Sequence, residues 1–302
     1  MTDELAQRTD MLQGVWNIVP TPFHPDEELD LDSLRTLTDF VVGSGVDGMT
    51  ILGVLGEAAK LSDAERSAVI DLTLAQAAGR VPVCVTVSAA SAHRSIEYAR
   101  EARAKGAHSV MLSAPPLARP NDDAVRRNFV RVAEAVPELP VVIQDLPAQG
   151  VWMSAELIGR MAGEAPNLRV VKLEEEPTAP KVARLLAANP DLRVLGGLGA
   201  EMLIEELRRG AVGTMTGFGY PETLVAIMAD WRAGNEAAAV ERFHRWTPLI
   251  RFENQQLLNL PIRKHIYMRR GAIASDRVRA PGPSLDEATR ADLYDLLARL
   301  GV

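Results

Sequence analysis

Lysine is scarce in this chain, and its five occurrences, Lys60, Lys105, Lys172, Lys181 and Lys264, narrow any search for amine chemistry. Lys105 and Lys181 fall in stretches with helical spacing, where a solvated charge is the ordinary explanation. Lys264 lies towards the C-terminal end, and Lys60 follows a loop. Lys172 differs, because it stands inside the apolar run Arg169-Val170-Val171-Lys172-Leu173. On either face of a buried strand such an environment disfavours the ammonium, and a depressed pKa makes the free amine nucleophilic. That amine can condense with a ketone to a Schiff base, which draws electrons from the adjacent carbon–hydrogen bond. The competing explanation is a lysine paired with a carboxylate as structural filling. Strand alternation puts Glu174 on the face of Lys172 and turns Glu175 the other way. Glu174 is therefore either a general acid/base for a group held by the amine or its counter-ion. Three adjacent acids, Glu174-Glu175-Glu176, also read as a solvated loop, so only Glu174 is assigned chemistry.

Two glycine-bearing segments could approach an anion. Gly53-Val54-Leu55-Gly56-Glu57 follows a strand-like run, and its glycines let backbone N–H groups come close to a carboxylate. Gly196-Gly197-Leu198-Gly199 lacks the third glycine of a dinucleotide fingerprint, Met202 standing there, but could cradle a phosphate. Glu201 follows at a helix start, where the dipole favours a carboxylate with or without a catalytic role. The five histidines show no metal spacing, so no metal site is expected. Tyr220 could reach the mouth of a barrel, although core packing is the ordinary role for such a residue.

Eight Val/Ile/Leu/Thr-rich runs must position these groups: Val15–Pro20, Met49–Gly53, Pro82–Val87, Ser109–Ser113, Pro140–Asp145, Arg169–Leu173, Arg193–Gly197 and Gly213–Phe218. They are continuously apolar rather than alternating, as parallel strands covered on both faces are. Between them lie helical patterns at Leu31–Val42, Asp63–Ala78, Ala92–Lys105, Asp123–Ala135, Ser154–Met161, Ala179–Ala188, Glu201–Arg209 and Glu222–Arg232. Ser62 with Glu65 forms a capping-box signature. Eight such units predict a (β/α)8 TIM barrel over residues 1–232, in preference to a doubly wound sheet. Residues 233–302 read as a C-terminal helical extension packed on the barrel, with patterns at Glu236–Pro248, Asn254–Arg270 and Ser284–Leu300. In a barrel, chemistry sits at the C-terminal ends of the strands, where Lys172 and Glu174 fall.

The chain has 302 residues, 47% hydrophobic and 24% charged, the composition of an ordinary globular protein. With 33 Lys+Arg against 40 Asp+Glu the net charge is −7, which argues against nucleic acid as a partner. Cys84 is the single cysteine, so no internal disulfide or cysteine cluster can form, and Val83-Cys84-Val85 suggests buried packing. Acidic residues follow Met1 where a signal peptide would carry base, and no apolar stretch approaches the ~20 residues a bilayer requires. A cytoplasmic enzyme, with no membrane partner, is the expectation.

With these residues in place, the chain resembles the dihydrodipicolinate synthase / N-acetylneuraminate lyase family, class I Schiff-base lyases and aldolases on a (β/α)8 barrel. The similarity runs through nearly the whole length. It shows in Gly14-Val15 through Thr21-Pro22-Phe23, in Gly53-x-x-Gly56-Glu57 with Leu61-Ser62-x-x-Glu65-Arg66, in the region of Pro115 and Pro120, in Asp145-Leu146-Pro147, and in Val171-Lys172-Leu173-Glu174. The resemblance implies that Lys172 forms the Schiff base, that Gly53, Val54, Leu55, Gly56, Gln144 and Gly197 line the substrate, and that the chain assembles as a homotetramer or homodimer. It also carries departures. Val54 and Leu55 replace hydroxyl residues, Gln144 replaces the family's proton-relay tyrosine, Pro116-Leu117 replace an aromatic pair, and Gln149 stands where synthases have arginine. A subgroup lacking that tyrosine dehydrates 2-keto-3-deoxy sugar acids, and there the acid/base work falls to glutamates that match Glu174 and Glu201. The resemblance thus implies a hydro-lyase for a small 2-keto acid that needs no cofactor beyond the covalent Schiff base on Lys172. Its rivals are an aldolase releasing pyruvate and an aldehyde, and a keto-acid-binding barrel without catalysis.

Overall fold

The computed structural model describes residues 2–117, 119 and 121–302, so Pro120 of the matching segments lies outside the described residues. Eight parallel strands close in chain order: β1 (Gly14–Ile18), β2 (Gly48–Ile51), β3 (Val83–Thr86), β4 (Ser109–Ser113), β5 (Val141–Asp145), β6 (Val170–Leu173), β7 (Arg193–Gly196) and β8 (Gly213–Thr216). β8 pairs back onto β1, with Gly14 opposite Gly213, so the sheet has no free edge. This is the (β/α)8 barrel the strand patterns predict.

Inward-facing residues fill the lumen. Trp16, Ile18, Cys84, Met111, Val142, Val170, Leu195 and Met215 form one apolar cluster with Leu12 at its base. Burial pushes the Cys84 thiol up to about 12, which makes it packing rather than a nucleophile. A second, larger cluster lies between the sheet and the helices. Those helices are α2 (Leu31–Gly43), α3 (Asp63–Ala77), α4 (Ala92–Ala104), α5 (Asp122–Ala135), α6 (Ala155–Glu164), α7 (Thr178–Ala188), α8 (Leu203–Leu207) and α9 (Pro221–Arg232). Ser62 and Glu65 close the capping box that starts α3.

The structure corrects several expectations. A helix the patterns did not reveal, α1 (Asp3–Asp10), lies under the barrel, where Arg8 donates to the carbonyls of Ala107 and His108. α8 begins at Leu203, so Glu201 stands in the preceding turn rather than inside the helix. α10 (Glu236–Glu253) continues through Pro248 instead of ending there. A proline inside a helix gives up one backbone bond, here the one to the exposed His244, and tertiary packing of Leu249 and Ile250 outweighs it. α11 (Asn259–Arg269) and α12 (Glu287–Leu300) complete the extension, α10 packing on α9 and α12 on α10. Tyr220 is buried against Trp246, with the Arg270 guanidinium over its ring, in the packing role.

The base of the barrel depends on one large ring. Trp16 is fully buried, and β2 makes room for it with Gly48, where a Cβ would come within 2.6 Å of the indole. Trp16→Ala should therefore leave a cavity the closed sheet cannot collapse around, costing about 3–5 kcal/mol. A urea midpoint unchanged from the parent would contradict this account.

Candidate active site

Closure of the sheet places residues from neighbouring strands at one level. Lys172 lies two residues beyond Val170 on the lumen face, and its register partner on β5 is Gln144. The Lys172 side chain is thus aimed into the barrel mouth above an apolar floor, only 6% exposed. Its Nζ lies 3.0 Å from Glu174 Oε2, and Gln144 Nε2 donates to the same oxygen at 2.7 Å. The Glu174 amide donates to the Asp145 carbonyl at 2.9 Å, extending the β5–β6 ladder past the end of the strand. Gly197 on the other side is needed for clearance, because a Cβ there would sit 2.4 Å from Glu174 Cγ. Three strands therefore hold one carboxylate oxygen between an amine and an amide.

Glu175 turns outward, as alternation requires, and meets a residue whose expected role is wrong. Lys181 on α7 is buried rather than solvated, 2.6 Å from Asp145 Oδ2 and 2.7 Å from Glu175 Oε2, and it donates to the Met153 carbonyl. Helical spacing cannot show that this position faces the sheet's charged rim. Burial raises Asp145 to about 6 against the opposing pull of Lys181. This cluster locks the ends of β5 and β6, from which Gln144 and Glu174 project.

The cavity over Lys172 has a volume of about 690 Å3. Gly53, Val54, Leu55, Gln144, Glu174 and Glu201 all border it. Gly56 does not. Its amide donates to the Gly53 carbonyl, and its own carbonyl accepts from Thr21 Oγ1, so it shapes the turn instead. The Glu57 amide is likewise tied back, to the Val54 carbonyl, leaving Val54 and Leu55 as the part of the turn that faces the cavity. Glu57 itself adopts a left-handed backbone (φ 52°) and is fixed by Lys264 at 2.6 Å, Lys60 at 2.9 Å and the Arg279 amide at 3.0 Å. Burial lowers Lys264 to about 8 even against the charge of Glu57.

The glycines after β7 do not form a phosphate cradle. A Cβ at Gly196 would meet Glu206, one at Gly197 Glu174, and one at Gly199 Asn254, so each clears space for a side chain. Further residues lining the cavity were not expected, among them Glu176, and Asn254, Asn259 and Arg263 from the C-terminal extension. The polar run Asn254-Gln255-Gln256 fell inside the helical pattern read over Asn254–Arg270, whereas the helix begins only at Asn259. Among the described residues, no three His, Cys, Asp or Glu side chains gather as a metal ion would require.

With an amine and a carboxylate in contact at the C-terminal mouth of a parallel barrel, the protein is a lyase built on the (β/α)8 fold. The chain belongs to the dihydrodipicolinate synthetase family, whose pattern matches residues 11–300. It is 35% identical over 294 residues to an L-2-keto-3-deoxyarabonate dehydratase from Azospirillum brasilense, covering 95% of this chain and 94% of that one. It is 30% identical over 297 residues to a 4-hydroxy-tetrahydrodipicolinate synthase from Acidobacterium capsulatum, covering 96% of each. The crystal structure of a dihydrodipicolinate synthase from Rhodopseudomonas palustris superposes with a TM-score of 0.91 at 35% identity, over 96% of this chain and 98% of that one.

One buried group beside the site makes a pH-dependent prediction. Glu206 on α8 fills the space left by Gly196, its Oε2 lacks a hydrogen-bond partner among the described residues, and burial raises its carboxyl to about 7. Between the ordinary value of 4.5 and 7 the folded state then holds a proton the unfolded chain has released, so stability falls as pH rises through that window. Glu206→Gln should remove this slope and raise stability at pH 8 by on the order of 2 kcal/mol. Urea titrations at pH 5 and pH 8 that show the same pH slope in both proteins would contradict it.

Proposed function

We propose that this protein is a Schiff-base-forming hydro-lyase that dehydrates a 2-keto-3-deoxy sugar acid, specifically L-2-keto-3-deoxyarabonate, to 2,5-dioxopentanoate. The observation that carries this reading is the shared contact at Glu174 Oε2: an amine at 3.0 Å and, at 2.7 Å, a glutamine where a relay tyrosine would stand. The full-length similarity to a dehydratase of that substrate supports it.

Glu174 is within reach to accept the proton that Lys172 must lose before it attacks the C2 ketone. Addition and loss of one water give the iminium. A carboxylate, Glu174 or Glu201, then removes a C3 proton, and the electrons of that bond pass into the iminium to form an enamine. The enamine returns them to expel the C4 hydroxyl, which leaves as water after protonation by a carboxyl group. Loss of a C5 proton gives an enol that becomes the C5 aldehyde, and water hydrolyses the imine. The water consumed in hydrolysis balances the one released on condensation, so the net change is loss of one water. Two carboxyl groups suit this sequence because one accepts protons while the other donates. The iminium is the electron sink throughout, and the reading needs neither a metal nor an organic cofactor.

Gln144 cannot exchange a proton, so its role is to orient the Glu174 carboxylate by donating to it. The Val54 and Leu55 segment would offer backbone amides to the substrate carboxylate. By the same family resemblance we propose that the chain acts as a homodimer or homotetramer in the cytoplasm. Sedimentation at two or four times 32.8 kDa would agree with that, and at one times would not.

Borohydride reduction in the presence of substrate should add a single mass adduct at Lys172, absent in Lys172→Ala. Turnover should yield 2,5-dioxopentanoate and persist after treatment with a chelator. Glu174→Gln should lower kcat by about 10²–10⁴-fold. Pyruvate plus glycolaldehyde as products would replace the dehydratase with an aldolase, and absence of any adduct would leave only a binding barrel.

A further inference from the structure

Arg263 reaches the site from outside the barrel sequence. It projects from α11, is buried, and lines the same cavity as Lys172; these two are the cationic side chains that border it among the described residues. Its guanidinium takes the place of a missing strand residue. Met215 on β8 faces the lumen, so two residues on Gly217 does too, and a Cβ at Gly217 would lie 2.6 Å from Arg263 Nη1 and 2.9 Å from Cζ. The glycine thus admits the guanidinium to the lumen face of β8. Its Nε donates to Glu253 Oε1 at 2.5 Å, and Glu253 is itself held by the Gly219 amide at 3.1 and 2.9 Å. Nη1, by contrast, is buried without a hydrogen-bond partner among the described residues.

A buried N–H left unpaired costs free energy, and a structure that retains one beside a cavity offers it to whatever enters. Position says which part of a ligand this is. Arg263 sits over β8 with Thr216, which accepts from the Gly199 amide, and Asn254 packs on that same turn and donates to Leu198. This is the Glu201 side of the cavity. The Val54 and Leu55 amides lie in the turn after β2, the strand diametrically opposite β6 in an eight-stranded ring. A keto acid joined to Lys172 at C2, with its carboxylate at the β2 turn, would extend its tail towards β7 and β8. Charge says what the tail carries. Glu253 already neutralises Arg263, and Glu174, Glu176 and Glu201 border the space, so a second carboxylate would be opposed while a hydroxyl oxygen would be accepted.

We infer that Arg263 is a specificity-determining residue that donates to a terminal hydroxyl of the substrate, restricting it to monocarboxylic 2-keto acids with a hydroxylated tail. This rests on the Schiff-base reading above and adds to it the residue that selects the tail.

The test is a cycle of protein variant against ligand group. Intact-protein mass after borohydride reduction gives the half-saturating concentration for adduct formation with L-2-keto-3-deoxyarabonate and with its 5-deoxy analogue. The native protein should favour the hydroxylated acid by about tenfold to a hundredfold, the worth of one hydrogen bond to a charged donor. In Arg263→Gln that ratio should collapse towards one. Because this variant strands Glu253, the double variant Arg263→Gln/Glu253→Gln, which removes both buried charges, is measured alongside it. A native ratio near one overturns the inference whether or not the variants fold. A native ratio that survives in both variants overturns it as well, assigning Arg263 to packing. Should no keto acid give an adduct in the native protein, the Schiff-base reading itself fails, and the inference with it.

Discussion

A charged amine cannot rest on an apolar floor without a partner, and that constraint organises the top of this barrel. Beneath Lys172 the lumen is closed by Val170, Leu195 and Met215, which offer no hydrogen bond. Taking an ammonium from water into such a place costs several kcal/mol unless an opposite charge and further hydrogen bonds compensate. Glu174 supplies the charge, and Gln144 fills a further site on the same carboxylate oxygen. The arrangement follows from strand geometry: residues 170, 172 and 174 share a face, and the β5–β6 register places Gln144 beside Lys172. A carboxylate so held cannot wander to solvent, so the same contact that makes the lysine tolerable also keeps a proton acceptor beside it.

The rim is built by the same logic, repeated with other pairs. Lys181 between Asp145 and Glu175, Lys264 on Glu57, and Arg263 on Glu253 are each buried and each joined to a strand end or to the turn after one. Buried pairs contribute little net stability, but breaking one leaves an uncompensated charge, so they fix geometry. One of the three, Lys264 with Glu57, crosses from the barrel to the C-terminal extension, and a second, Arg263 with Glu253, lies within the extension and is tied to the barrel through a backbone amide. Glu57 and Lys264 are 207 positions apart in the chain, and Glu253 grips the Gly219 amide just beyond β8. The extension is therefore part of the mouth as well as a cover on the helices.

What could be read from residues alone divides along the same line. Strand runs, the parallel barrel and the face shared by Lys172 and Glu174 depend on local period, and local period is written in the chain. The capping box at Ser62 is equally local. Lys181 was misjudged because a helix's period identifies an apolar stripe but not an acid waiting across it on another strand. Arg263 and Asn254 were missed for the related reason that their roles exist only once α10 and α11 fold back over β7 and β8. The glycines from Gly196 to Gly199 read as a phosphate cradle, whereas the space they leave is taken by Glu206, Glu174 and Asn254, which come from elsewhere in the chain. α1 escaped notice because it is short and polar, with Leu5 its one buried apolar side chain.

The glutamine at position 144 carries the last step of the argument. A phenol can accept and return a proton, so a tyrosine there would allow a relay from Lys172 to the substrate oxygen. A glutamine amide donates and accepts hydrogen bonds but cannot exchange a proton at neutral pH, and Gln144 directs its N–H to Glu174. On the proposed reading proton traffic then runs through carboxyl groups, and of the three that border the cavity Glu174 and Glu201 follow consecutive strands, β6 and β7. Aldol cleavage requires a base that strips the C4 hydroxyl. Dehydration requires an acid that protonates it, together with a base at C3. Two carboxyl groups, each able to take up and return a proton, would serve that second combination. On the proposed reading, glutamine at position 144 thus removes the relay that an aldol cleavage would use and leaves carboxyl groups placed to assist loss of the C4 hydroxyl.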